Sequence, residues 1–156
     1  MDISFYHLTR TTLEAALPQM LEKTLERGQR AVVRAGSAER VEALNGWLWT
    51  YKDRGFLPHG SAKDGHGALQ PVWLTDQDER PNGAQVLFLT DGAGGGQGGG
   101  APSEHAADFE RCAVLFDGND EAAVAAARAQ WQGFKDAGHE LTYWQQTDQG
   151  RWEKKD

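Results

Sequence analysis

One cysteine, Cys112, serves the whole 156-residue chain, so no disulfide can form within it, which fits a reducing compartment. Cys112 sits in the apolar run Cys112-Ala113-Val114-Leu115-Phe116 and has no partner at metal-ligand spacing. The five histidines, His7, His59, His66, His105 and His139, fall in separate segments, and none belongs to a His-Glu-x-x-His pattern. A metal centre is therefore not expected. No apolar stretch reaches the length of a membrane span, and the Met-Asp-Ile-Ser start has neither the basic nor the apolar block of a signal peptide. The expectation is a soluble, cytoplasmic protein with no membrane partner. Positive charge is also scarce, with 16 Lys and Arg against 23 Asp and Glu and a net charge of −7. Long-range repulsion from phosphates then argues against a primary nucleic-acid binder, so that DNA would be met only indirectly.

Aromatic residues are plentiful: six Trp, six Phe and three Tyr supply enough burial to offset chain entropy and order a domain. Ile3-Ser4-Phe5-Tyr6-His7-Leu8 has the content of a strand. Leu13, Leu17, Met20, Leu21 and Leu25 recur at helical spacing behind Thr11 or Thr12 as N-cap, and Gly28 is a natural stop. Ala31 to Ala35 reads as a second strand, and Ser37 caps a helix through Val41, Leu44, Leu48 and Trp49. This alternation opens a parallel α/β sheet. Residues 51–70 read as an extended loop, Pro71 to Leu74 and Gln85 to Thr90 as strands, and residues 91–102 as a flexible glycine-rich loop. A buried-type strand from Arg111 to Asp117 precedes a helix capped by Asn119 or Asp120 and ended by Gly138, and His139 to Gln145 is a closing strand. The expected organisation is one domain over residues 1–146 with a mobile tail, residues 147–156.

Gly94, Gly96 and Gly99 match G-x-G-x-x-G after an apolar strand, and Asp117 follows at roughly the distance of a ribose ligand. A tract this rich in glycine matches the pattern by chance, however, and no well-formed helix opens directly from it. A nucleotide-binding Rossmann-like enzyme using Gly94 to Gly99 is the alternative reading, and a connector the simpler one. No G-x-S-x-G elbow is present, and the carboxylates Asp76, Asp78, Glu79, Asp117 and Asp120 look like loop and cap residues. Nothing assembles a catalytic site. The last helix differs, because Arg128, Trp131 and Lys135 at i, i+3 and i+7 put two cations and a large ring on one face. Such a stripe suits an acidic peptide with an apolar anchor, although an ordinary amphipathic helix, with solvated charges and a core tryptophan, has the same pattern. A second cluster, Trp47-Leu48-Trp49 followed by Phe56-Leu57-Pro58-His59, either extends a surface patch or tucks into the core. The basic tail residues Arg151, Lys154 and Lys155 are a weaker candidate for direct DNA contact.

Phe5-Tyr6-His7-Leu8, Leu48-Trp49, Phe56-Leu57-Pro58-His59, Leu115-Phe116-Asp117-Gly118 and the helix with Ala127-Arg128, Trp131, Phe134 and Ala137-Gly138 resemble, in order and spacing, the chi subunit of bacterial DNA polymerase III. The resemblance implies a Rossmann-like three-layer α/β fold, with a mainly parallel central sheet flanked by helices and without catalytic activity or cofactor. It implies an accessory subunit of the replicative polymerase that links the clamp loader to single-stranded DNA-binding protein by gripping its acidic C-terminal tail. On that resemblance Arg128 is the tail-binding arginine, with Trp131 and Phe116 near the apolar part of the pocket; Lys135 is added from helical geometry. Trp49, Phe56 and Leu57 match positions that contact the psi subunit, or another clamp-loader subunit where psi is absent. Ala123-Val124 stands where some relatives carry a lysine one turn before the arginine, and the tract Gly92 to Gly100 looks like an insertion.

Overall fold

The structure, a computed structural model, describes residues 2–50, 59–61, 64–90 and 106–155. The strands are β1 (Asp2–Leu8), β2 (Ala31–Arg34), β3 (Gly60–Ser61), β4 (Val72–Thr75), β5 (Val86–Leu89), β6 (Arg111–Asp117), β7 (Glu140–Gln146) and β8 (Trp152–Lys155), and the helices are α1 (Leu13–Glu26), α2 (Ala38–Thr50) and α3 (Glu121–Asp136). They form one sheet in the order β3-β4-β2-β5-β6-β1-β7-β8, in which only β8 runs antiparallel to its neighbour.

Period-two alternation along the central strands divides the apolar side chains between two layers. Leu8, Val33, Leu74, Phe88 and Leu115 pack with Leu17 and Leu21 of α1 and Val41, Leu44 and Leu48 of α2. Ile3, Phe5, Val32, Leu87, Val114 and Phe116 pack on the opposite side with Ala127 and Phe134 of α3. Helices on both faces of a mostly parallel sheet make the three-layer α/β fold expected from the sequence. Cys112 is buried in the second layer, and burial pushes its thiol up.

Local chemistry fixes the helix starts. Thr12 accepts from the Ala15 amide at 3.2 Å, and Asp120 Oδ1 accepts from the Ala122 and Ala123 amides at 3.0 and 3.4 Å. Adjacent strands β1 and β6 then send their chains to opposite faces, into α1 and α3, and so open a crevice at their carboxyl ends. Crevices of this kind are where open α/β sheets hold ligands.

Two expectations need correction. Residues 152–155 are not a mobile tail: they form β8, with Trp144 opposite Lys154 and Gln146 opposite Trp152. A turn with Gly150 at φ +78° reverses the chain, and the Trp152 ring packs edge-on against Tyr6 at 5.2 Å, so the end of the chain buries an aromatic group. Within the segment read as a loop, Gly60–Ser61 adds a short strand to β4, and Ser61 and His59 are buried. Residues 51–58 and 91–105 lie outside the described residues, and with them the readings made of Phe56, Leu57 and the glycine tract, as does the side chain of Trp49. Among the described residues no helix is long and apolar enough to cross a membrane.

Candidate functional site

The site is built at the carboxyl ends of β1 and β6. Parallel register places His7 beside Phe116 on β6 and Phe5 beside Tyr143 on β7, all on the α3 face of the sheet. Their rings form a continuous aromatic cluster. Phe5 meets Trp131 edge-on at 5.3 Å and Phe116 at 6.5 Å, while Tyr143 meets Trp131 at 5.8 Å and Phe116 at 6.2 Å. His7 lies at 4.9 Å from Phe116, and its Nδ1 is hydrogen-bonded to the Tyr143 hydroxyl.

Gly118 makes the geometry possible. Its amide donates to the Leu8 carbonyl at 2.7 Å, which clamps the turn after β6 against the end of β1. A Cβ at this position would overlap the His7 ring and come within 2.8 Å of the Leu8 carbonyl oxygen. Only a residue without a side chain allows so close an approach. Asn119 extends the clamp by donating from Nδ2 to the Thr9 carbonyl at 3.1 Å.

Over this floor lies a cavity of about 400 Å³ bounded by His7, Gly118, Glu121, Val124, Ala125 and Arg128. Arg128 is exposed on α3 and, among the described residues, takes part in no ion pair. The nearby and larger crevice of about 630 Å³ also has cations, but Arg10 is paired with Asp148 at 3.2 Å and Arg40 with Glu14 at 3.5 Å. Burial holds the His7 imidazole below its ordinary range, and Arg128 acts in the same direction; a backbone hydrogen bond with Gly118 and the charge of Asp117 oppose them. The Tyr143 hydroxyl is raised by burial, with Arg128 pulling it down. The guanidinium is thus felt by both members of the His7–Tyr143 pair. The His7 imidazole, the Arg128 guanidinium and a short apolar wall offer a place for a carboxylate next to an apolar group, with Glu121 a carboxylate on the same lining.

The residues singled out in the sequence separate here. Arg128 bounds the cavity. Phe116 is buried beneath His7, and Trp131 is half-buried between Phe5 and Tyr143, so both support the floor without lining the cavity. Lys135 is exposed and does not line it, being seven residues and roughly 10 Å of helix axis farther on. His7, Tyr143 and Val124 were not picked out as site residues. The signal for the first two was the β1–β7 register, which no local pattern shows. Trp47, at 39% exposure, turns away from the sheet, and its Nε1 donates to the Glu14 carbonyl.

A relative from Rickettsia prowazekii (strain Madrid E), described as a probable DNA polymerase III subunit chi, is 35% identical over 88 residues, which cover 56% of this chain and 53% of that protein. The aligned part thus spans about half the length of the curated relative. The family model described as DNA polymerase III chi subunit, HolC, matches residues 1–142, from β1 through the first residues of β7, and the chain belongs to that family.

Proposed function

We propose that this chain is a non-catalytic accessory subunit of a bacterial DNA polymerase III assembly, and that it binds the acidic C-terminal tail of single-stranded DNA-binding protein at the Arg128 cavity. The observation that carries the reading is the juxtaposition of a cation outside any described ion pair with a small aromatic-floored cavity at the carboxyl edge of the sheet. A tail of carboxylates ending in an aromatic residue matches it in charge and size. The negative net charge fits an adaptor that meets DNA through a protein, because the attractive field need only be local. Trp49, Phe56 and Leu57 are the proposed contact with psi or another clamp-loader subunit, which would join the two ends of the link.

Titration of the full chain with a peptide ending in Asp-Asp-Ile-Pro-Phe tests the reading. Arg128→Ala should weaken binding by about 1–3 kcal/mol, the worth of a charge-assisted contact, and raised salt should weaken the wild-type complex. Lys135→Ala should change the affinity far less, given its distance from the cavity. An Arg128→Ala protein that binds the peptide as tightly as the parent would overturn the assignment.

A further inference from the structure

On the other face of the sheet, away from Arg128, α1 leaves part of β1, β7 and β8 uncovered, and a separate cavity of about 320 Å³ lies there. Its wall holds three aromatic rings. Tyr6 and Trp144, neighbours across β1 and β7, lie with ring planes only 8° apart at 6.5 Å, and Trp152 stands edge-on to Tyr6 at 5.2 Å. Trp144 and Trp152 are both partly exposed. Lys23 and Arg27 reach the cavity from α1 and Arg111 from the start of β6, and no Asp or Glu lines it among the described residues. Burial raises the Tyr6 hydroxyl, and the charges of Arg111 and Arg27 pull it down. In a chain of net charge −7, three cations around one aromatic wall are a local exception.

We propose that this trough binds a nucleoside phosphate, taken as a free nucleotide or as one unit of a single strand, with the base on the Trp144 and Trp152 rings and the phosphate held by Lys23, Arg27 and Arg111. Stacking on sheet-borne aromatics beside a basic rim is how single-stranded nucleic acids are held without reading their sequence. The volume fits one nucleotide, at the small end of ligand cavities. An acidic peptide would use the cations but leave two partly exposed indole faces unexplained. The site is independent of the Arg128 cavity, which lies across the sheet, and of the glycine tract.

The experiment titrates the full chain with thymidine diphosphate and, separately, with a ten-residue oligothymidylate, following tryptophan fluorescence. Binding of either probe, with quenching, is expected, and the Lys23→Ala/Arg27→Ala protein should bind at least fivefold more weakly. These two positions are exposed, so the variant should melt with the parent. Trp152→Leu should lower the quenching and the affinity together, whereas Arg128→Ala should leave both unchanged. If both probes bind, the site takes nucleotides generally; if only the oligomer binds, it is a single-strand site, with log affinity falling against log salt at a slope of about −0.7 for the one phosphate held. No quenching by either probe at millimolar concentration would overturn the proposal. So would undiminished binding to Lys23→Ala/Arg27→Ala, or an acidic peptide that binds through Lys23 and Arg27 when neither nucleotide probe binds.

Discussion

Gly118→Ala is the most searching perturbation of the site, because the structure says what the added methyl group meets. It would overlap the His7 ring and approach the Leu8 carbonyl oxygen to 2.8 Å. The ring cannot simply swing aside, since Phe116 lies beneath it at 4.9 Å and Tyr143 holds its Nδ1. The carbonyl belongs to the backbone and is itself the acceptor of the Gly118 amide at 2.7 Å. Overpacking of this kind costs about 1–3 kcal/mol. Loss of the His7–Tyr143 hydrogen bond adds roughly 1 kcal/mol. A total of about 2–4 kcal/mol corresponds to a fall in Tm of roughly 4–16 °C for a chain of this size. Thermal and urea unfolding measure it. In a His7→Ala background the ring overlap disappears, and the same substitution should cost about 1–2 kcal/mol less, a coupling that a double-mutant cycle reads directly. If Gly118→Ala lowers stability by less than about 0.5 kcal/mol, or its cost is the same with and without the His7 ring, the clamp described above is wrong.

Gln146→Ala should destabilise the chain by about 1–3 kcal/mol, because Oε1 accepts from the amides of Thr9 at 3.0 Å, Arg10 at 3.0 Å and Thr11 at 3.2 Å in a buried position; denaturant unfolding measures it. The lowered pKa of His7 means that the unfolded chain binds its proton more readily than the folded one, so the His7 contribution is intact above the ordinary value of 6.5 and is lost as pH falls below it. Stability measured from pH 8 to 5 should therefore decline on the acid side, and His7→Gln should flatten that decline; an unchanged profile would contradict the placement of the ring. A carboxylate bound beside His7 would favour the charged imidazole, so the acidic peptide should bind more tightly at pH 6 than at pH 8, with proton uptake visible in buffers of different ionisation heat.

The elements of this protein were legible in its sequence to the extent that they are local. Hydrophobic period, cap candidates at Thr11 or Thr12 and at Asn119 or Asp120, and the glycines at 28 and 138 placed α1, α3 and most strands within a residue or two. Helical periodicity also put Arg128, Trp131 and Lys135 on one angular face. It could not say how far along the axis the cavity ends, which is why Lys135 falls outside it. Likewise, Trp131 and Phe116 were expected near the apolar part of the pocket, whereas burial sets both rings beneath the cavity, a distinction that depends on what packs over them. The chain end was misread because Arg151-Trp152-Glu153-Lys154-Lys155 is polar and short, and only pairing with β7 and the Tyr6 contact give it a reason to be a strand.

The sequence by itself determined an acidic α/β chain with one basic and aromatic helix, because charge, composition and periodicity are properties of residues and their near neighbours. Only the tertiary structure decided that His7 meets Tyr143 across 136 residues and that Gly118 must lack a side chain. It alone brought Lys23, Arg27 and Arg111 to one aromatic trough. Those relations are set by strand order and parallel register, which depend on how the whole sheet buries its two faces rather than on any local run of residues.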